Sequence, residues 1–242
     1  DLRGTEIHIK CEHLNPGGSI EDRPVLRMLV EAILTGALTK EKTILDATSG
    51  NAGIAYAMIG AVLGYKVTLV MPENASEERK KRLHAHGAEI IFTYPMLGYD
   101  ESLREVKRIY QRDSNKYFYC DQYSNQNNPL AHYDTTAEEI LAQSPNITHF
   151  VAGVGTGGTI SGVGRKLKEK NPEIKVISIN PPEWPGVEGL KPLEEGHIIP
   201  ETFAFHSPLY SIEVSKSSYL FIFLKFYRNP TEVYFQQRYP GY

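Results

Sequence analysis

Between residues 43 and 180 the chain alternates short β-branched or aromatic runs with longer amphipathic ones, and this rhythm admits few folds. The strand-like runs are TILDAT, KVTLVM, EIIFT, KYFYC, THFVAGV and KVISIN, with EIHIKCEHL as a further candidate ahead of them. The runs PVLRMLVEAILTGAL, NAGIAYAMIGAVLG, SEERKKRLHAHG, ESLREVKRIYQR, TTAEEILAQS and TISGVGRKLKEKN read as helices. Their ends carry the expected signals. Pro24 falls early in its helix, where a missing N–H is harmless, and Gly64 and Gly87 follow theirs as C-terminal caps. Ser76 stands just ahead of paired glutamates, as an N-cap does. Strand–helix–strand alternation with short connections predicts parallel α/β units wound right-handed.

A chain of 242 residues has room for one large or two small domains, at roughly 100–200 residues each. It buries a sizeable core without a disulfide or metal staple. With 41% hydrophobic and 23% charged residues, the composition is that of a folded rather than a disordered protein. A net charge of −3 speaks against a nucleic-acid-binding face or a polybasic membrane patch, and no apolar run approaches the roughly 18 residues that span a bilayer. The polar start, DLRGTEIHIK, has no signal-peptide core, and Cys11 and Cys120 form no CxxC pair. We therefore expect a cytoplasmic protein without a disulfide framework or a bound metal. After about Pro208 the rhythm stops. Six of the 15 tyrosines lie from Tyr210 onward, YLFIFLKFY reads as a strand or part of a short buried helix, and RNPTEVYFQQRYPGY has no periodicity.

Two strand–loop–helix junctions carry the chemistry. Gly153-Val154-Gly155-Thr156-Gly157-Gly158-Thr159 follows THFVAGV and opens a helix. Its glycines let backbone N–H groups turn toward one anion, the helix start adds about half a positive charge, and Thr156 and Thr159 offer hydroxyls. The stretch also fits GxGxxG at Gly153, Gly155 and Gly158, but the next strand ends in Asn180 where a dinucleotide site wants a carboxylate. A phosphate site is the better reading. The other junction, Thr48-Ser49-Gly50-Asn51-Ala52-Gly53, sets small hydroxyls, an amide and bare N–H groups at a helix start, which suits a carboxylate.

Together with Asn15-Pro16-Gly17-Gly18-Ser19-Ile20-Glu21-Asp22-Arg23-Pro24, these segments resemble cysteine synthase and cystathionine β-synthase, the fold-type II pyridoxal-phosphate enzymes. NPGGSIEDRP, TSGNAG and GTGGT stand in that family's order and spacing, and Gln122 falls where the family keeps a substrate-facing glutamine. The likeness covers about residues 7–208. It implies an α/β protein of the tryptophan synthase β-subunit-like fold with two parallel-sheet subdomains. Residues 41–112 would form a smaller mobile unit with the carboxylate loop, and 1–40 and 113–242 a larger phosphate-binding one. It further implies that Thr48, Ser49, Gly50, Asn51 and Ala52, with Gln122, bind the amino-acid carboxylate. Asn51 would also bond the cofactor ring hydroxyl, and Gly155, Thr156, Gly157, Gly158 and Thr159 would cradle the phosphate of pyridoxal 5′-phosphate. The implied reaction replaces the leaving group of an activated serine, such as O-acetylserine, with sulfide to give cysteine. The implied assembly is a homodimer with a small amino-acid substrate and no nucleic acid or membrane partner.

The sequence departs from the family at one decisive position. Glu21 stands where the family has the lysine that forms the Schiff base, and a carboxylate cannot condense with an aldehyde. The exchange also shifts the local charge by two units, and each unit charge about 6 Å from an anion is worth roughly 3 kcal/mol at an effective dielectric near 20. Any bound cofactor is therefore expected to be held non-covalently. Ala52 replaces a family threonine, a milder change. The family's IGNTPL-like stretch and its C-terminal glycine/serine motif have no counterpart in the sequence, which suggests truncation at both ends. Two other readings stay open: a non-catalytic relative that binds cofactor, amino acid or a partner protein, and a nicotinamide-dependent oxidoreductase.

Overall fold

The structure, a computed structural model, describes residues 4–48, 50–180, 190, 197–203 and 209–213. Two parallel sheets organise it. The first has the order β3-β2-β1-β4 and is built from β1 (Thr43–Ala47), β2 (Val67–Pro72), β3 (Glu89–Thr93) and β4 (Tyr117–Tyr119). The second has the order β5-β6-β7, with β5 (His149–Gly153), β6 (Lys175–Asn180) and β7 (Leu209–Glu213). Every residue of β1 and β2 is buried, as befits central strands covered on both faces.

The helices are α1 (Asp22–Leu34), α2 (Asn51–Leu63), α3 (Glu77–Ala85), α4 (Gly98–Arg112), α5 (Asn127–Ala131), α6 (Ala137–Gln143) and α7 (Gly158–Lys170). Apolar residues of α1 and α2, among them Met28, Leu29, Ile54 and Tyr56, pack with Ile44, Leu69 and Met71 into one core. Leu103 and Val106 of α4 pack with Leu45 and Val70 into another. The charged face of α4 points outward, where Glu101 and Glu105 pair with Arg108. In the second unit Val163 and Leu167 of α7 meet Ala137 and Ile140 of α6. Between α5 and α6 runs one π-helical turn, His132–Thr136.

Gly64 and Gly87 both adopt the left-handed conformation that ends a helix. Ser76 takes the N-cap position of α3, though its side chain makes no capping bond. Two expectations change. EIHIKCEHL is not a strand: no sheet pairs with it, Ile7 and Ile9 are 41% and 63% exposed, and Glu12–Leu14 turn into a 3₁₀ helix. Alternation of apolar residues specifies a strand only where a neighbouring ladder accepts it. Cys11 is accordingly exposed, while Cys120 is buried as a packing residue. The βα rhythm does not end at Pro208, because β7 extends the second sheet in parallel register with β6. The first sheet also takes in β4, which pairs with β1 in parallel. The run YLFIFLKFY and the segment after it lie outside the described residues.

Among the described residues no helix is long and apolar enough to cross a membrane. None of their His, Cys, Asp and Glu side chains cluster in threes as metal ligands.

Candidate functional site

The segment ahead of α1 folds around its own polar atoms. The Gly17 N–H donates to Asp22 Oδ2 at 2.5 Å, and Asn15 Nδ2 donates to Glu12 Oε2 at 2.7 Å and to the Ser19 carbonyl at 3.0 Å. The Glu21 N–H donates to Ser19 Oγ at 3.2 Å, which leaves Glu21 as the N-cap of α1. Both units hold this segment. Arg23 binds Glu12 and, across in α6, Glu139, while Arg82 of α3 donates to the Gly17 carbonyl at 3.0 Å. Glu21 is only partly exposed, and burial, reinforced by the neighbouring Asp22 charge, pushes its carboxyl up to about 7.

The loop between β1 and α2 is braced from inside. Thr48 Oγ1 accepts the N–H groups of Gly50 and Gly53, each at 3.1 Å. Beneath it Asp46, 1% exposed, accepts three hydrogen bonds: from the Ala47 N–H at 2.8 Å, the Tyr56 hydroxyl at 2.6 Å and the Gln122 N–H at 3.2 Å. Burial raises the Asp46 carboxyl to about 7 against these bonds. Gln122 Nε2 and the Tyr99 hydroxyl both donate to the Ala47 carbonyl at 2.8 Å. Asn51 is exposed and borders a small cavity with Ser76, Arg79 and Arg82. Ala52 is buried, and Ser49 lies outside the described residues.

The loop between β5 and α7 is braced from outside. Asn128 Nδ2 donates to Thr156 Oγ1 at 3.0 Å and to the Gln122 carbonyl at 2.9 Å. Thr202 Oγ1 donates to the Thr156 carbonyl at 2.7 Å. His132, 1% exposed, sits between Thr159 Oγ1 at 3.2 Å and Thr136 Oγ1 at 3.1 Å. Burial, aided by the nearby Arg23 charge, lowers the His132 pKa to about 3, so the ring is neutral and offers one donor and one acceptor. Gly157 has φ of +81°, and a Cβ there would lie 2.6 Å from Phe203; a Cβ on Gly158 would run into the Asn128 amide. Among the described residues nothing accepts a hydrogen bond from the N–H of Gly155, Thr156 or Gly157.

Those unspent donors, at the start of a 13-residue helix, fit a phosphate. They suit the anion of pyridoxal phosphate, while Glu21, at the position expected to meet its aldehyde, offers no amine. The structure brings Gln122 and Thr156 together through Asn128, and Gln122 onto the strand that carries Thr48. Sequence reasoning missed Asp46, Asn128 and His132. Only Asp46 left a signal, as a carboxylate inside an otherwise apolar strand.

A model of the family described as pyridoxal-phosphate dependent enzyme matches residues 1–217. A cysteine synthase of Aquifex aeolicus is 49% identical over 203 residues, which are 82% of this chain and 62% of the relative. A cystathionine β-synthase of Apis mellifera is 49% identical over 179 residues, 73% of this chain and 36% of the relative. The chain thus spans less than two thirds of these relatives. Among solved structures, a hydrogen sulfide-producing enzyme from Fusobacterium nucleatum superposes with a TM-score of 0.79 at 37% identity, covering 91% of this chain and 77% of that one. A cysteine synthase from Entamoeba histolytica gives 0.78 at 33% identity, covering 86% and 64%.

Proposed function

The chain belongs to the family of pyridoxal-phosphate dependent enzymes, in the fold shared by cysteine synthase and cystathionine β-synthase, and from that premise we propose that its site serves β-replacement of an activated serine by sulfide to give cysteine. The observation that carries this reading is the hydrogen-bonded path from Ala47 through Gln122 and Asn128 to Thr156, which holds both anion-binding loops in one frame. When bound, pyridoxal phosphate supplies an electron sink for bond breaking next to the amino group of the substrate. The N–H groups of Gly155 to Thr159 and the Thr156 and Thr159 hydroxyls hold its phosphate. Neutral His132 fixes the Thr159 hydroxyl. Thr48, Ser49, Gly50, Asn51 and Ala52, with Gln122, hold the substrate carboxylate, and Asn51 also bonds the ring hydroxyl. Asp46 keeps Gln122 in place.

Glu21 stands in the place of the family's lysine. It neither captures the aldehyde nor supplies an amine to move the α-proton, so the cofactor is held without a covalent bond and turnover is slow. That same residue favours a second reading, a relative that binds cofactor and amino acid without turning them over. We assign the moving part to residues 41–112, the assembly to a homodimer and the compartment to the cytoplasm; light scattering on the purified chain tests the dimer. The nicotinamide reading has little support, because Asn180 ends β6 where a ribose-binding carboxylate belongs.

Cysteine formation from O-acetylserine and sulfide, measured for the chain and for Glu21→Lys, separates the readings. We expect the variant to exceed the parent by at least 100-fold. Equal and substantial rates would remove the second reading. Absence of both cofactor binding and cysteine formation in the variant would remove the first.

A further inference from the structure

A cavity of about 170 Å³ lies at the starts of α2 and α3, lined by Asn51, Ile54, Ser76, Glu78, Arg79 and Arg82. Pockets that enclose a whole small molecule run to roughly 300–1,000 Å³, so this one admits only a small group. Of the described residues in its wall only Ile54 is apolar, and two guanidinium groups stand against one carboxylate. Arg82 is tied in place: it donates to the Gly17 carbonyl at 3.0 Å and stands 3.7 Å from where a Cβ on Gly18 would lie. Arg79 is half-buried; burial and the Arg82 charge press its pKa down, while Glu78 presses it up. Among the described residues the side chains of Asn51 and Ser76 have no hydrogen-bond partner, and Ser76 does not cap α3.

These groups specify the charge of an occupant. Two arginines lining one small cavity repel each other, and an anion held by both relieves the repulsion. A guanidinium fork presents paired N–H donors that match the oxygens of a phosphate or sulfate. Helices α2 and α3 both begin at the cavity, so their N-termini add partial positive charge. The Asn51 amide and the Ser76 hydroxyl supply neutral donors. A cation would meet the arginines, and an apolar group would find only Ile54.

We propose that this cavity is a second oxyanion site, which takes a phosphate or sulfate group on Arg79, Arg82, Asn51 and Ser76. It shares no residue with the 155–159 loop and does not rest on the reading of that loop. Glu78 opposes the anion and Arg82 already spends one donor on Gly17, so this is the weaker of the two sites. Its oxyanion can come from two sources. One is a free ion; the other is the ester group of an amino acid whose carboxylate lies on the 48–52 loop, with which the cavity shares Asn51. The second source alone rests on the carboxylate reading. Binding is non-covalent.

The test is calorimetric titration of the full chain with inorganic phosphate. Two sites are expected. In Arg79→Gln the weaker should lose at least about tenfold in affinity while the tighter stays within about twofold. Glu78→Gln should strengthen the weaker site about threefold, a gain that misfolding cannot produce. If no phosphate site weakens in Arg79→Gln, or if Glu78→Gln brings no gain, the inference is overturned. A single site that answers to both variants but not to Gly157→Asp would uphold it and remove the phosphate reading of the 155–159 loop. O-phospho-L-serine and L-serine separate the two sources. If the ester is the occupant, phosphoserine binds the weaker site at least about tenfold more tightly than inorganic phosphate, and Arg79→Gln brings it close to serine. If a free ion is the occupant, phosphoserine binds no more tightly than inorganic phosphate.

Discussion

The β1–α2 and β5–α7 junctions, both proposed to turn N–H groups toward an anion, are braced by opposite means. In the first, Thr48 spends its oxygen on two of the loop's own N–H groups, and Asp46 secures the strand beneath it. In the second, Asn128, His132 and Thr202 grip the threonines from outside, and among the described residues nothing accepts from the N–H groups of Gly155 to Gly157. Internal bracing fixes a shape at the expense of donors. External bracing keeps donors free and makes the loop depend on distant residues. The first loop should therefore respond to mutation mainly in stability, and the second mainly in affinity.

The harshest break of the second loop is Gly157→Asp. It puts a side chain at a left-handed φ against Phe203 and a negative charge among the anion's donors. Affinity for inorganic phosphate, read by calorimetry, should fall about a thousandfold; an unchanged affinity would sink the phosphate reading. The matching break of the first loop is Asp46→Ala, which strands the Tyr56 hydroxyl and the Gln122 N–H in the core. Urea unfolding should show a loss of about 3 kcal/mol, and a loss below about 1 kcal/mol would mean the network is dispensable.

A finer contrast comes from paired variants. Asn128→Ala should weaken phosphate binding about tenfold, whereas Thr48→Val should cost about 1–2 kcal/mol of stability and leave phosphate affinity within about twofold. If the two variants behave alike, the distinction between the loops fails. The smallest effect is in pH. Glu21 and Asp46 both have carboxyls raised to about 7 in the folded chain, from reference values of 4.5 and 3.8. The native state thus binds more protons than the unfolded chain between about pH 4 and pH 7. Stability is fully present below that window and falls as pH rises through it. Glu21→Gln should flatten part of that slope in urea titrations at pH 5 and pH 7.5.

The parts legible in the sequence were those whose chemistry is local. A glycine-rich strand–helix junction shows itself in its own residues, so TSGNAG and GTGGT could be placed directly at the starts of α2 and α7. The alternation of strands and helices could be read because each central strand is buried on both faces. Asn128 and His132 could not, because their partners lie 28 and 27 positions away in sequence. Nothing in NNPLAH says which loop it will meet. β7 escaped for a similar reason: a parallel strand is defined by a neighbour far along the chain, and LYSIE is too short to announce itself. EIHIKCEHL shows the converse error, a local pattern with no partner to fulfil it.

The π-helical turn at His132–Thr136 sets a limit on how the chain can change length. An α-helix advances 100° per residue, and a π turn takes one more residue into a single turn, so the extra residue is absorbed there and the helix on either side keeps its phase. His132, at its start, faces Thr159; Glu139, one turn beyond its end, faces Arg23. Deleting one residue between 132 and 136 would leave a regular helical turn with those two side chains in nearly the same phase, whereas deleting Glu138 from α6 would turn Glu139 by about 100° relative to His132, and only one of the two contacts could survive. A one-residue deletion is thus tolerated inside the π turn and nowhere else along the helix between the two contacts, and that turn is the slack that lets the chain change length while the β5–α7 loop stays aligned with the segment carrying Glu21.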